Sequence, residues 1–309
     1  MKYKFLALTA IAALVAIPAS SIAQNVPAEG STIKGNLVIG RSTFALPPGE
    51  WKVVAVGSAD TTSTGSRSDI AETASVRLVQ LAANGTFIAS IWTQAPLTSA
   101  RAPGRWIDST CDRKDLLHRD DFNVNPFFPE CLVINHIVLF LANAPANAFE
   151  RRAWDWFEKN SVKRPATVLS AFYRKYFSGD YVGVNVAVNP EFFGQEPSLK
   201  TAWTESEWHP LVIKNDPKRL AFVESFKKWS YVMAENAKST LMDRKPKSAL
   251  LPAFDELRVG SSKVRSITPT DGSSTSAELR LSELKALLDK GLITKEEFDE
   301  KRAAILKGL

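Results

Sequence analysis

The sequence predicts an α+β protein, an antiparallel sheet with packed helices, followed by a small C-terminal helical hairpin on a linker. Three features point to it. Asn84-Gly85 separates two apolar runs rich in β-formers, Val76 to Ala83 and Thr86 to Trp92, as the turn of a hairpin. Tyr181 to Asn189 alternates strictly and places Val182, Val184, Val186 and Val188 on one face of a strand ended by Pro190. Asp216-Pro217 opens a long helix, because the aspartate caps exposed amides and proline suits the first helical position.

The chain of 309 residues begins Met1-Lys2-Tyr3-Lys4, continues with an apolar run from Phe5 to Ile17, and reaches Ser21-Ile22-Ala23. A basic start, a short apolar stretch and small residues before Gln24 read as a cleavable signal peptide over residues 1–23. The run falls short of the ~20 apolar residues that span a bilayer, so no transmembrane anchor is expected after cleavage. The mature protein is therefore expected in the periplasm or outside the cell. Its formal charge of +6 over the whole chain is mild and does not suggest nucleic-acid binding, which needs a concentrated basic face. The eight tryptophans are read first as core residues.

Residues 24–242 read as the main domain. Gln24 to Arg41 is polar and is expected to be loosely ordered. A strand starts near Phe44, the Leu46-Pro47-Pro48-Gly49 turn interrupts it, and Trp51 to Val56 continues as a strand. The Asn-Gly turn is read as type I′, with Leu81 facing Ile88 and Arg77 facing Trp92. Leu132 to Leu141 suggests a buried strand, Arg151 to Asn160 a helix, and Ala166 to Tyr176 a second short helix. On the long helix, Leu220, Val223, Phe226, Trp229 and Met233 form the expected apolar stripe. Residues 243–276 lose periodicity and read as a flexible linker. A local excess of Lys and Arg between Lys238 and Arg265 reads as solvation of that tether.

Two cysteines, Cys111 and Cys131, in an exported chain favour a disulfide, which would contribute roughly 3 kcal/mol by loop entropy. Cys111, His118, Cys131 and His136 could otherwise act as zinc ligands, but the spacing lacks the close cysteine pair of structural sites, so no metal and no cofactor are expected. His118 with Asp115, Asp120 and Asp121 offers a general base with an orienting carboxylate, against the simpler reading of a solvated charged loop. Ser225-Phe226-Lys227-Lys228 fits a Ser-x-x-Lys pattern only by chance, since it falls inside a helix. Tyr181, Asn185 and Asn189 share the second face of the alternating strand. With Trp203 and Trp208 they could line a groove, the alternative being simple exposure.

Residues 277–309 form a separate helical pair. Leu279, Leu281, Leu284, Leu287 and Leu288 lie along one side of a first helix ended by Gly291. Thr294 and Glu297 make a capping box, and Phe298, Ala303, Ile305 and Leu306 continue the apolar face. The run from Leu284 to Phe298, with its Leu-Lys-x-Leu segment, Gly291-Leu292-Ile293-Thr294 turn and Glu296-Glu297-Phe298, resembles the SHOCT domain, a short C-terminal hairpin. The resemblance implies oligomerisation or partner binding, with Leu281, Leu284, Leu287, Leu288, Ile293, Phe298, Ile305 and Leu306 as contact residues. About 33 residues bury too little apolar surface to be stable alone, so the leucine stripe needs either another protein or its own main domain. The main domain resembles proteins of proteobacterial envelopes in Pro48-Gly49-Glu50-Trp51, the cysteine pair and Ile134-Asn135-His136, a likeness that implies no activity.

The sequence thus leads to a non-enzymatic exported protein that oligomerises or binds a protein partner through residues 277–309. The alternatives are a hydrolase using residues near the 111–131 loop and a small-ligand carrier with a pocket behind the valine strand.

Overall fold

A computed structural model describes residues 25–59, 72–98, 111, 115–125, 127–139, 147–177, 180–200, 202–258 and 295–307. The signal-peptide reading and most of the C-terminal hairpin lie outside the described residues. The chain divides into two units, residues 1–260 and 261–309.

Among its described residues the first unit has ten strands: β1 (Thr32–Ile33), β2 (Asn36–Ile39), β3 (Ser42–Ala45), β4 (Trp51–Ala59), β5 (Thr73–Leu81), β6 (Phe87–Pro96), β7 (His118–Asn123), β8 (Glu130–Val138), β9 (Thr167–Phe177) and β10 (Asp180–Val188). Eight of them form one sheet in the order β1-β4-β5-β6-β10-β9-β8-β7, with every pairing antiparallel. β2 and β3 pair separately as a hairpin. Helix α1 (Ala148–Lys159) follows β8, and helix α2 (Pro217–Asp243) follows β10. The α+β class with a large antiparallel sheet is as the sequence predicts.

The α2 face of the sheet is a continuous apolar core. Leu132 and Ile134 of β8, Val182, Val184, Val186 and Val188 of β10, and Phe222, Phe226 and Trp229 of α2 all belong to it. Burying each such side chain stabilises the fold by ~2 kcal/mol. The helix starts as expected, with the Asp216 side chain accepting from the Arg219 amide at 3.0 Å and Pro217 at its first position. Val223, Phe226, Trp229 and Met233 of the expected stripe are buried, whereas Leu220 is 37% exposed and Phe222 is fully buried.

Several sequence expectations are corrected. Gln24 to Arg41 is not loosely ordered in its described part, since it supplies β1 and β2 and buries Leu37 and Ile39 completely. Ala166 to Tyr176 is not a helix but strand β9, paired on one side with β8 and on the other with β10. Two full ladders outweigh the weak helical pattern of a segment rich in β-branched and aromatic residues. The Asn84-Gly85 turn is not type I′: only Gly85 takes a positive φ, +78°, and its amide donates to the Ala82 carbonyl at 2.9 Å. The result is a longer turn, closed by the Ala82 amide donating to the Thr86 carbonyl, with a bulge between Gln80 and Leu81, so Leu81 faces Phe87 rather than Ile88, while Arg77 still faces Trp92. The start of the expected linker folds back onto the domain, where Leu251, Phe254 and Leu257 are buried and Trp229 donates to the Pro252 carbonyl at 2.9 Å.

The Pro-Gly-x-Trp opening of β4 has a local cause. The buried Trp51 indole donates to the Pro47 carbonyl at 2.9 Å, and Gly49 holds φ +117° with the Gln80 amide where a Cβ would sit.

One polar cluster is buried in the interface between the sheet and α2. Glu130 pairs with Lys175, accepts from the Tyr173 hydroxyl at 2.9 Å, and has Lys238 of α2 at 3.5 Å. The Glu130 and Lys175 side chains are only 6% and 9% exposed. Neutralising Glu130 by Glu130→Gln strands a buried ammonium. It is expected to cost about 3 kcal/mol in urea denaturation, much of it recovered in the Glu130→Gln, Lys175→Met double variant.

Candidate functional site

Among the described residues, α1 covers part of the face of the sheet opposite α2. Val54, Ala55 and Val79 pack with Ala153 and Phe157 of α1 into a second, smaller core. Gly57 permits the approach, since a Cβ there would meet Phe149 at 3.0 Å. Asn147 caps the helix by accepting from the Glu150 amide at 2.9 Å. Beside this core lies a cavity of about 460 Å³ between α1 and strands β5, β6, β9 and β10.

Its floor is a row of residues in register across four strands, Arg77, Trp92, Asn185 and Phe172. All four are partly exposed, although Leu78, Ile91, Val184 and Ala171 beside them in sequence are buried on the other face. Trp92 and Phe172 lie 5.8 Å apart across Asn185, which donates to the Ser170 hydroxyl at 2.8 Å. Ala153, Trp154 and Phe157 of α1 form the roof.

Three guanidinium groups of the described residues reach the cavity. Arg77 donates to the Glu150 carboxylate at 2.7 Å; burial lowers its pKa and the Glu150 charge opposes that shift. Arg164 lies over the Trp154 ring at 4.4 Å and pairs with Glu158 at 2.7 Å. Arg174 lies over Phe172 at 4.9 Å and beside Tyr181 at 5.6 Å. Glu150 is the one carboxylate among the described lining residues. Gly183 makes room for the Tyr181 ring, whose hydroxyl occupies the place of a Cβ.

The sequence singled out Asn185, which lines this cavity. Arg77, Trp92, Phe172 and Arg174 it did not assign to a site, although the cross-strand pairing of Arg77 with Trp92 was readable. Arginines placed in otherwise apolar strands, with aromatic partners across, were the available signal. Asn189 does not join the cavity. It is buried and spans the end of β10, donating to the Phe87 carbonyl at 2.8 Å and accepting from the Glu191 amide at 3.0 Å. Trp203 and Trp208 belong to the opposite face, Trp203 stacked on His136 at 5.0 Å and Trp208 packed against Phe222. No groove unites them with Asn185.

Cys111 and Cys131 form the expected disulfide, which removes both as thiolate ligands. His136 is buried beside Trp203 and His209, with its Nε2 3.2 Å from the Trp203 carbonyl. Of the carboxylates near His118, only Asp120 is connected to it, through Tyr231 of α2. His118 Nε2 is 2.9 Å from the Tyr231 hydroxyl, which donates to Asp120 at 2.9 Å. Asp121 pairs with Arg119, and Asp115 is exposed. Burial, assisted by Asp120, raises the Tyr231 pKa to about 12, so the phenol keeps its proton and fastens edge strand β7 to α2. Ser225 donates back to the Ala221 carbonyl at 3.0 Å, as a helix-interior serine does.

In the second unit, helix α3 (Lys295–Lys307) is described. It carries Phe298, with the Lys295 ammonium 4.9 Å from its ring, and a Lys295–Asp299 ion pair at 2.8 Å. Ile305 and Leu306 fall on the same helix, and Leu281, Leu284, Leu287, Leu288 and Ile293 lie outside the described residues. Residues 280–306 match the SHOCT family, the short C-terminal domain. Neither the curated proteins nor the solved structures yield a significant match to the chain. Among the described residues, no helix is long and apolar enough to cross a membrane.

Burial, assisted by the nearby Lys227 charge, lowers the His118 pKa, against the opposing pull of Asp120. The unfolded chain therefore takes up this proton first as pH falls, near about 6.5. Stability from the neutral imidazole is present above that value and is lost as pH drops towards the folded pKa. The urea midpoint is expected to fall less between about pH 7 and about pH 5 in His118→Gln than in the native protein. Equal falls in both would assign the pH dependence to other groups.

Proposed function

We propose that this is a non-enzymatic, exported binding protein whose main domain holds a small ligand under α1 and whose C-terminal hairpin joins it to a partner. The observation that carries the ligand-holding half is the cavity. About 460 Å³ lies within the ordinary range of small-molecule sites, and aromatic walls with a few convergent polar groups are their usual lining. It lies on the face of β10 opposite Val182, Val184, Val186 and Val188. The SHOCT match at residues 280–306 supports the assembly half, because a hairpin of that length needs an apolar partner to be stable. The disulfide and the signal-like start support an oxidising compartment, the periplasm or the medium outside the cell. A hydrolase centred on the 111–131 loop is the weaker reading, since Tyr231 occupies both His118 and Asp120.

Light scattering on the mature chain, with and without residues 277–309, tests the assembly half. The full chain is expected to give a multimer and the truncated chain a monomer. Equal masses, with no partner captured by the isolated hairpin, would sink it.

A further inference from the structure

We infer that the cavity under α1 takes a flat aromatic compound that donates a hydrogen bond to the side chain of Asn185. The inference rests on the reading of the main domain as a ligand holder and adds the chemistry of the ligand. Two features of the walls carry it.

The first is planar surface on both sides. Trp92 and Phe172 lean together on the floor, 5.8 Å apart and tilted by 38°, so their faces make a shallow trough. Trp154 and Phe157 bring two more rings from α1. The guanidinium groups extend these planes, Arg164 over Trp154 at 4.4 Å and Arg174 over Phe172 at 4.9 Å. Each lining arginine also has a polar partner: Glu150 for Arg77, Glu158 for Arg164 and the Tyr181 hydroxyl for Arg174. The arginines are therefore fixed parts of the wall, and recognition falls to stacking. A fused-ring body meets rings from floor and roof, and about 460 Å³ is ample for one. A saturated body of the same size fills the space without the ring-to-ring contacts.

The second is the polar group set into that floor. Asn185 lies in register between Trp92 and Phe172 and is partly exposed. Its Nδ2 donates to the Ser170 hydroxyl at 2.8 Å, which fixes the way the amide faces. Its Oδ1 accepts no hydrogen bond from the described residues. A carbonyl oxygen beside two ring faces suits a ligand whose ring edge carries a donor, a phenol or a ring N–H. A ligand without a donor would displace water from that oxygen and leave it unpaired, which weakens binding.

The test is a calorimetric titration of the full mature chain with naphthol, its methyl ether and the fully saturated decahydronaphthol, all substituted at the same carbon. Naphthol is expected to bind about fivefold more tightly than either of the others. Asn185→Ala is expected to remove its advantage over the ether, and Trp154→Leu its advantage over the saturated alcohol. Ser90→Trp, which fills the cavity from β6, is expected to abolish binding of all three. Either preference missing on the native protein, with binding still lost in folded Ser90→Trp, would overturn the inference and leave the ligand-holding reading standing. Binding indifferent to Ser90→Trp, or none at all, would overturn the ligand-holding reading itself. The three affinities on the native protein decide the inference even if a variant fails to fold.

Discussion

The structure depends on the two-sided burial of strand β10. This strand joins two antiparallel arrays, β1-β4-β5-β6 on one side and β9-β8-β7 on the other, and without it they would not form one sheet. Its valines face the α2 core, and Tyr181, Gly183, Asn185 and Ala187 face the other way. A strand with both faces covered cannot slip by one residue without exchanging its apolar and polar sets. That constraint fixes Asn185 opposite Trp92 on one neighbour and Phe172 on the other. The floor of the cavity is thus a by-product of the register that holds the fold together.

The two faces differ because their helices differ in length. α2 has 27 residues and α1 has 12, or about 40 Å and about 18 Å of helix. Eight strands at ~4.8 Å spacing make a face about 34 Å wide. The longer helix, joined by β2, β3 and the returning segment 244–258, seals its side. The shorter one packs on β4 and, among the described residues, roofs a cavity over β5, β6, β9 and β10 rather than a sealed core. In that cavity stand residues that a sealed core would not tolerate, three arginines among aromatic rings.

Polar groups elsewhere serve as fasteners. Glu130, Tyr173, Lys175 and Lys238 meet where β8, β9 and α2 converge, each charge answered by another. His118, Tyr231 and Asp120 tie the edge strand to the same helix. The resemblance of His118 and Asp120 to an acid–base pair is a consequence of strand alternation, which puts residues two apart on one face. What those side chains do is hold β7 in place.

Local chemistry made much of this legible. Alternation gave β10, the Asp216-Pro217 pair gave the start of α2, and an even cysteine count gave the disulfide. The SHOCT-like signature was readable because a short hairpin concentrates its pattern in consecutive residues. Long-range choices were not readable. Ala166 to Tyr176 holds a sequence that either period fits, and two neighbouring ladders made it β9. Leu37, Ile39, Leu251 and Phe254 sit in stretches that look polar and loose, and they are buried because a distant apolar surface was there to receive them. Asn185 was singled out by its strand alone. Arg77, Trp92, Phe172 and Arg174 became one site only when three cross-strand registers were set, since side chains far apart in the chain share an environment only through tertiary pairing.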